Sequence, residues 1–337
     1  MIVGAGVVGA SVASALSGND RSVLLLDRER IGHSRGSSHG TSRFRQFAPY
    51  PTEEYLDLGL EARRLWTHIE DAKGIRILHR TGNLSIGDTP RLEVLASTLE
   101  GHGMAVELVE AADAAQRWPF LRPAGPVVHQ SDGEVIAADV AWRAMVESAC
   151  AAGVELVEDC AVQEIRLHDD SVSVRTDRDD VRAERLVLAT GPWIKALAAQ
   201  ADIDVDVTVT RQTVAFLPLA ERIPTITDWS GREPYALPDL LGSLKVAEHA
   251  RGQAADPDSS GSPDLASAER VCGWAERTIR GVGATPLRVE TCLYTNVPGD
   301  QFIVERQGPV VLVSACNGQG FQYAPAMGRR VADLVAQ

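Results

Sequence analysis

The chain opens on a short apolar run and then alternates between two hydrophobic rhythms. "MIV" leads into Gly4, Gly6 and Gly9, and small and apolar residues continue to Leu16, which predicts strand, glycine turn and helix. "SVLLLD" predicts the next strand and ends in Asp27. Only three residues precede Gly4, so the expectation is a clipped first strand or a native start upstream. "GHSRGSSHGTSRFRQFAPYP" is rich in Gly, Ser, Arg and Pro and predicts an extended loop. "TEEYLDLGLEARRLWTHIEDAKG" sets Tyr55, Leu56, Leu58, Leu60 and Leu65 among charges and predicts a helix. "ILHRTGNLSIGD" predicts two strands turning at Gly82 and Asn83, and Thr89 to Pro119 reads as helical throughout.

A helix is expected from about Asp139 to Ala152. Short strands follow at "VELVED", "VQEIRLHDD", "SVSVRTD" and "RLVLATG", joined by polar turns. Beyond Ala199 the pattern is β-rich, with "VDVTVTRQTVAFLPL" and two strands inside "REPYALPDLLGSLKVAEHA". "RGQAADPDSSGSPDLAS" predicts a mobile loop. A helix at "ASAERVCGWAERTI", strands at "CLYT", "QFIVER" and "VVLVSAC", the loop "NGQGFQYAP" and a last helix complete the chain. No internal repeat is visible. The pattern gives an α/β fold in which one nucleotide-binding domain is assembled from separated segments, with a β-rich domain inserted between them.

Composition narrows the function. The chain has 337 residues, and its net charge of −13 argues against a nucleic-acid surface, which needs concentrated Lys and Arg. No apolar run reaches the length of a membrane span, and no charged-then-apolar leader precedes the first glycines. The five cysteines are Cys150, Cys160, Cys272, Cys292 and Cys316. They form no close pair, which fits neither a disulfide framework nor a zinc site. A cytoplasmic setting and no metal are expected.

The first motif carries a specific chemistry. Its glycines permit a tight turn and a close backbone approach to a pyrophosphate, and the helix N-terminus offers N–H groups and partial positive charge. Asp27 lies 23 positions after Gly4, near the spacing of a carboxylate that binds an adenosine ribose. Gly191, after the apolar strand "RLVLATG", suits a second backbone approach to the nucleotide.

Taken in order, "VGAGVVGAS", "SSHGTSR", "EARRLW", "TGNLSIG", "LVLATGPW", "LKVAEH", "ETCLYT" and "NGQGFQ" resemble the motifs of the FAD-dependent amine oxidases of the monomeric sarcosine oxidase type. That group includes N-methyltryptophan, pipecolate and fructosyl-amine oxidases and lies within the D-amino acid oxidase-like superfamily. The resemblance implies an FAD-binding Rossmann-like domain of the glutathione-reductase type over 1–84, 139–205 and 290–337. A β-rich α+β substrate domain would then occupy 85–138 and 206–289. It implies a cofactor site at Gly4, Gly6, Gly9, Asp27, Arg28, Ser38, His39, Gly40, Thr41, Val162, Gly191, Trp193, Gly318, Gly320 and Phe321. Cys292 matches the cysteine that forms a thioether with the 8α carbon of FAD. By itself, a cysteine is more often a small buried hydrophobe.

The same resemblance places Lys245 over the flavin, where a fixed cation promotes the reaction with oxygen. It places His249, Tyr294, Tyr235 and Arg43 around the reacting centre. The expected reaction is transfer of the α-hydrogen of a neutral secondary or primary amine to flavin N5, giving an imine and, with oxygen, hydrogen peroxide. Two positions depart from the pattern. The sarcosine-type enzymes clamp a substrate carboxylate with an arginine and a lysine where this chain has Gln46 and Gln322. Loss of those charge-assisted bonds costs about 2–4 kcal/mol. The expected substrate is therefore an amine whose acid is absent, esterified, amidated or tethered to a carrier protein. Arg45 could substitute if the loop shifts. A flavin dehydrogenase with another electron acceptor, and a non-catalytic flavin-binding homologue, remain open, as does the choice between monomer and small homo-oligomer.

Overall fold

The computed structural model describes residues 1–18, 21–46 and 53–337. Part of the expected loop of residues 32–51 therefore lies outside the described residues. A six-stranded sheet runs in the order Ile303–Gln307, Val310–Ser314, Leu186–Leu188, Ile2–Val3, Leu24–Leu26, Glu155–Val157. All its neighbours are parallel except the edge pair Ile303–Gln307 and Val310–Ser314. Its four central strands are short and apolar, as strands covered on both faces must be. Helix Val7–Leu16 packs on helices Ala138–Ala151 and Ala324–Ala336. Small residues make this contact possible, because a Cβ at Gly328 would meet the Ser11 backbone. Trp66 and Trp142 fill the core beneath, at 0% and 1% exposure. A three-stranded antiparallel sheet, Val162–His168, Ser171–Thr176 and Asp180–Ala183, stands beside this layer.

The second layer is a mixed nine-stranded sheet. Thr208–Pro218 is its spine, pairing with Gln253–Ala254, Ser243–Glu248 and Arg288–Asn296. The sheet continues through Pro234–Pro238, Thr225–Asp228, Asn83–Ile86 and Val127–Gln130 to Val106–Val109. Helix Leu265–Thr278 covers one face and is capped by Asp264, which accepts from the Ser267 N–H. A small sheet, Ser42–Arg45, Glu134–Ala137 and Leu78–Arg80, bridges the layers.

Several expectations shift. Residues 89–119 hold two helices, Thr89–Gly101 and Ala111–Arg117, with the strand Val106–Val109 between them. The alternation in that short strand is masked by the flanking helices. Leu78–Arg80 and Asn83–Ile86 are both strands, but they join different sheets rather than a hairpin. Asn83–Ile86 and Arg288–Asn296 pair within the nine-stranded sheet, so the sheets divide the chain differently from the segment ends at 84 and 290. The expected mobile loop is instead tied down. Arg211 donates to the Ser259 carbonyl at 2.7 Å. Asp258 accepts from Arg28 at 2.8 Å, from Trp193 at 3.0 Å and from Arg35 at 3.4 Å.

Candidate active site between the two sheets

A continuous cavity runs from the first glycine turn to the face of the nine-stranded sheet. At its near end Gly4 has φ 97°, and a Cβ there would strike the Ala189 carbonyl, so only glycine fits. The Asp27 carboxylate accepts from the Ala5 N–H at 2.7 Å and the Glu29 N–H at 2.9 Å. A carboxylate offers about four lone-pair sites, so acceptor capacity is left for a diol. Ser38 Oγ accepts from the Val7 N–H at 3.0 Å at the helix N-terminus. Thr190 Oγ1, buried in the wall, has no partner among the described residues. Glycine turn, acid, helix N-terminus and an unclaimed hydroxyl fit the adenosine and pyrophosphate of a dinucleotide.

At the far end the strand registers gather the chemistry. Directly paired residues on neighbouring strands share a face, and alternate residues along a strand do too. Cys292 pairs with Gln212 and Tyr294 with Thr210. Lys245 pairs with Phe216 on one side and Leu237 on the other. Tyr235 pairs with Thr227. Cys292, Tyr294, Lys245, Tyr235 and Thr227 therefore project from one face, and all five line the cavity.

Lys245 Nζ donates to the Ser42 carbonyl at 3.2 Å. Burial, with the Arg43 charge second, pulls its pKa down to about 7. Burial also pushes the Cys292 thiol up, opposed by the charges of Lys245 and Arg43. Burial keeps His249 below the usual histidine value. Its ring lies 6.0 Å from that of Tyr294, and its Nε2 is 3.4 Å from the Gln319 amide. Burial raises both Tyr235 and Tyr294, which hydrogen-bond to each other and stay phenolic at neutral pH. Gly318, at φ 94°, lies so close over Tyr294 that a Cβ would enter its ring. Arg43 donates to Ser42 O, Ser37 O and His39 O, and its guanidinium sits 5.5 Å over the Phe321 ring.

Gln46 and Gln322 meet in the wall of the cavity. The Gln46 N–H donates to Gln322 Oε1 at 3.2 Å. Gln46 Oε1 accepts from Asn83 Nδ2 at 2.8 Å and from Thr227 Oγ1 at 3.0 Å. Arg45 faces elsewhere: it is buried against the Glu134 carboxylate and donates to Asp132 O at 2.6 Å. Strand alternation sends it away from its neighbour Gln46, so it does not replace the missing cation.

Of the residues expected at the site, Gly6, Arg28, Val162, Gly191, Trp193, Gly320 and Phe321 also line the cavity. Gly9, His39, Gly40 and Thr41 are not among its lining residues. Gly9 packs against the Gly4 carbonyl, and Thr41 donates to Asp239. Gly40 sits against Arg43. Burial, followed by the Arg43 and Lys245 charges, takes His39 down to about 4. The sequence reading missed Phe44, Trp229, Glu233, Leu237, Cys316 and Gln319, which line the cavity too. Gln319 was visible inside the quoted glycine motif. Trp229 is two residues from Thr227, a spacing that means something only once the strand is known.

The described helices include none long and apolar enough to cross a membrane. Among the described residues no cluster of His, Cys, Asp and Glu could hold a metal ion.

Mouse peroxisomal sarcosine oxidase is 30% identical over 99% of this chain and 91% of its own length. The N-methyl-L-tryptophan oxidase of Salmonella arizonae is 26% identical, covering 100% of this chain and 94% of that protein. Among solved structures, the open form of NikD, an unusual amino acid oxidase essential for nikkomycin biosynthesis, superposes with a TM-score of 0.89 at 25% identity. That match covers 100% of this chain and 93% of NikD. The FAD dependent oxidoreductase model matches residues 1–334, so with its dinucleotide cradle and reactive sheet face the chain belongs to the FAD dependent oxidoreductase (DAO) family.

Proposed function

We propose that this protein is a flavin-dependent amine oxidase whose substrate carries no free carboxylate, giving an imine and, with oxygen as acceptor, hydrogen peroxide. The observation that carries the reading is the Gln46–Gln322 pair, which puts neutral amides at the substrate end while Arg45 is committed to Glu134. Gln46 Oε1 is already saturated by Asn83 and Thr227. A buried carboxylate there would meet neutral amides, which can hydrogen-bond it but not neutralise it.

Gly4, Gly6, Asp27, Arg28, Ser38, Val162, Gly191 and Trp193 would hold the adenosine and pyrophosphate of FAD. Cys292 would anchor its ring system covalently. When bound, FAD supplies the two-electron oxidation of the carbon–nitrogen bond. The chain's own groups do the rest. Neutral His249 can accept a proton from the incoming ammonium at a ring nitrogen, leaving the free amine. Tyr235 and Tyr294 orient that amine with phenolic groups that do not ionise near neutrality. Lys245 and Arg43 provide positive charge beside Cys292, and Lys245 can hold or release its proton near neutral pH. The apolar wall of Phe44, Leu237 and Phe321 excludes water.

A peroxide assay over a panel of amines tests the proposal. Sarcosinamide and sarcosine methyl ester are expected to turn over with at least about tenfold higher kcat/KM than free sarcosine. Brisk oxidation of free sarcosine would overturn it.

A further inference from the structure

One buried donor, on a residue that lines the cavity, has no use in the chemistry above. Trp229 lines the substrate end, is only 8% exposed, and its Nε1 has no acceptor among the described residues. Other tryptophans are satisfied. Trp66 donates to Gln322 O at 2.9 Å, Trp142 to Ala5 O at 2.6 Å, Trp274 to Asp228 Oδ2 at 2.9 Å and Trp193 to Asp258 Oδ1 at 3.0 Å. A buried indole N–H with no acceptor gives up its water without compensation.

The ring is also held firmly. The Trp229 backbone amide donates to Ile86 O at 2.8 Å, extending the strand ladder by one residue. Trp229 therefore shares its face with Thr227, the partner of Gln46. The Arg91 guanidinium lies 5.0 Å over the indole and donates to Trp229 O and to Glu233 Oε1, each at 3.0 Å. Glu233 lines the same wall. A carboxylate ligand here would meet the Glu233 charge, and the Arg91 cation over the ring is already engaged with that charge.

We propose that Trp229 is a specificity-determining residue whose indole N–H binds a neutral carbonyl of the substrate, of the amide, ester or thioester class. This rests on the oxidase reading above and deepens it. The rigid indole supplies a wall for a planar carbonyl and a single neutral donor aligned with it, in place of a charged clamp. Such a site discriminates strongly against a ligand that lacks the acceptor, because the donor is then left unpaired.

The test uses the holoenzyme and two probes of similar size, sarcosinamide with the carbonyl and N-methylpropylamine without it. Binding is read anaerobically from the flavin spectrum in wild type and in Trp229→Phe, which keeps a ring and removes the N–H. Wild type is expected to prefer sarcosinamide by at least about tenfold. Trp229→Phe should erase that preference by weakening sarcosinamide more than N-methylpropylamine. Retention of the preference, equal weakening of both probes, or no preference in wild type overturns the assignment. If Trp229→Phe does not fold, the six indole N–H resonances of ¹⁵N-tryptophan-labelled wild type decide. One should move downfield with sarcosinamide and not with N-methylpropylamine; if none does, the proposal falls. Preference for free sarcosine over sarcosinamide would defeat the oxidase reading, whereas a sarcosinamide preference that survives Trp229→Phe defeats only the role of Trp229.

Discussion

Gln46 and Gln322 come from opposite ends of the chain and are joined by one hydrogen bond, from the Gln46 N–H to Gln322 Oε1 at 3.2 Å. They are not equally replaceable. Gln46 Oε1 is the acceptor for Asn83 and Thr227, whereas the Gln322 backbone carbonyl, not its side chain, takes the Trp66 indole. Gln322→Lys should therefore fold and lower the KM for free sarcosine about tenfold. Gln46→Arg should lose about 1–3 kcal/mol of stability, since two buried donors lose their acceptor. Steady-state kinetics and urea unfolding of the two variants check the contrast.

Lys245 gives a pH signature. Its folded-state pKa is near 7 against an ordinary 10.5. Between those values the unfolded chain holds a proton that the folded protein has lost, so stability rises with pH across that window. Below about 7 the full cost of the buried ammonium is present. Lys245→Met, measured on cofactor-free protein, should raise Tm at pH 6, and the difference should shrink steadily toward pH 10. A pH-independent difference would mean that Lys245 is solvated.

Cys292 should hold its flavin through denaturation. Acid precipitation of the purified protein is expected to leave the yellow colour in the pellet, and Cys292→Ser should release it to the supernatant. Release from wild type would make Cys292 only a packing group, and oxygen use would then have to be judged against a dehydrogenase.

Asp258 is the acceptor for Arg28, Arg35 and Trp193, two of which line the cofactor end of the cavity. Asp258→Ala leaves three donors without that acceptor and loosens residues 256–263, between the strand Gln253–Ala254 and the helix cap Asp264. Trypsin, cutting at Arg251, should nick the variant several-fold faster than wild type in a timed digestion. Equal rates would mean that the strand Gln253–Ala254 and the contacts of Arg211 with Ser259 hold the segment without Asp258.

Sequence alone made visible what is local. The first strand, Gly4, Gly6 and Asp27 follow from spacing, because strand, turn and helix are consecutive. Gly318, Gly320 and Phe321 are likewise legible ahead of the last helix. The motifs around Lys245 and Cys292 were readable as residues, but not why they converge. Convergence comes from Thr208–Pro218 pairing with both of their strands, which periodicity cannot express. The polar run around Asp258 looked mobile because its partners Arg28 and Arg35 lie more than 200 residues away in sequence. Arg45 looked available because its partner Glu134 lies 89 residues away in sequence. Trp229 gave no signal, since a tryptophan near a strand end is ordinarily core.

The bridging of the two sheets by a single cavity has a consequence for how the protein is made. Its walls include Val3, Asp27, Cys160, Thr190, Trp229, Lys245, Cys292 and Gln322. A ribosome emits the chain in that order, and domains generally fold as they emerge. Here the cradle for the adenosine exists early as a fragment, yet neither Cys292 nor the glycine turn over Tyr294 can be present until nearly the whole chain has been synthesised. The cavity is therefore complete only when almost the whole polypeptide has been made.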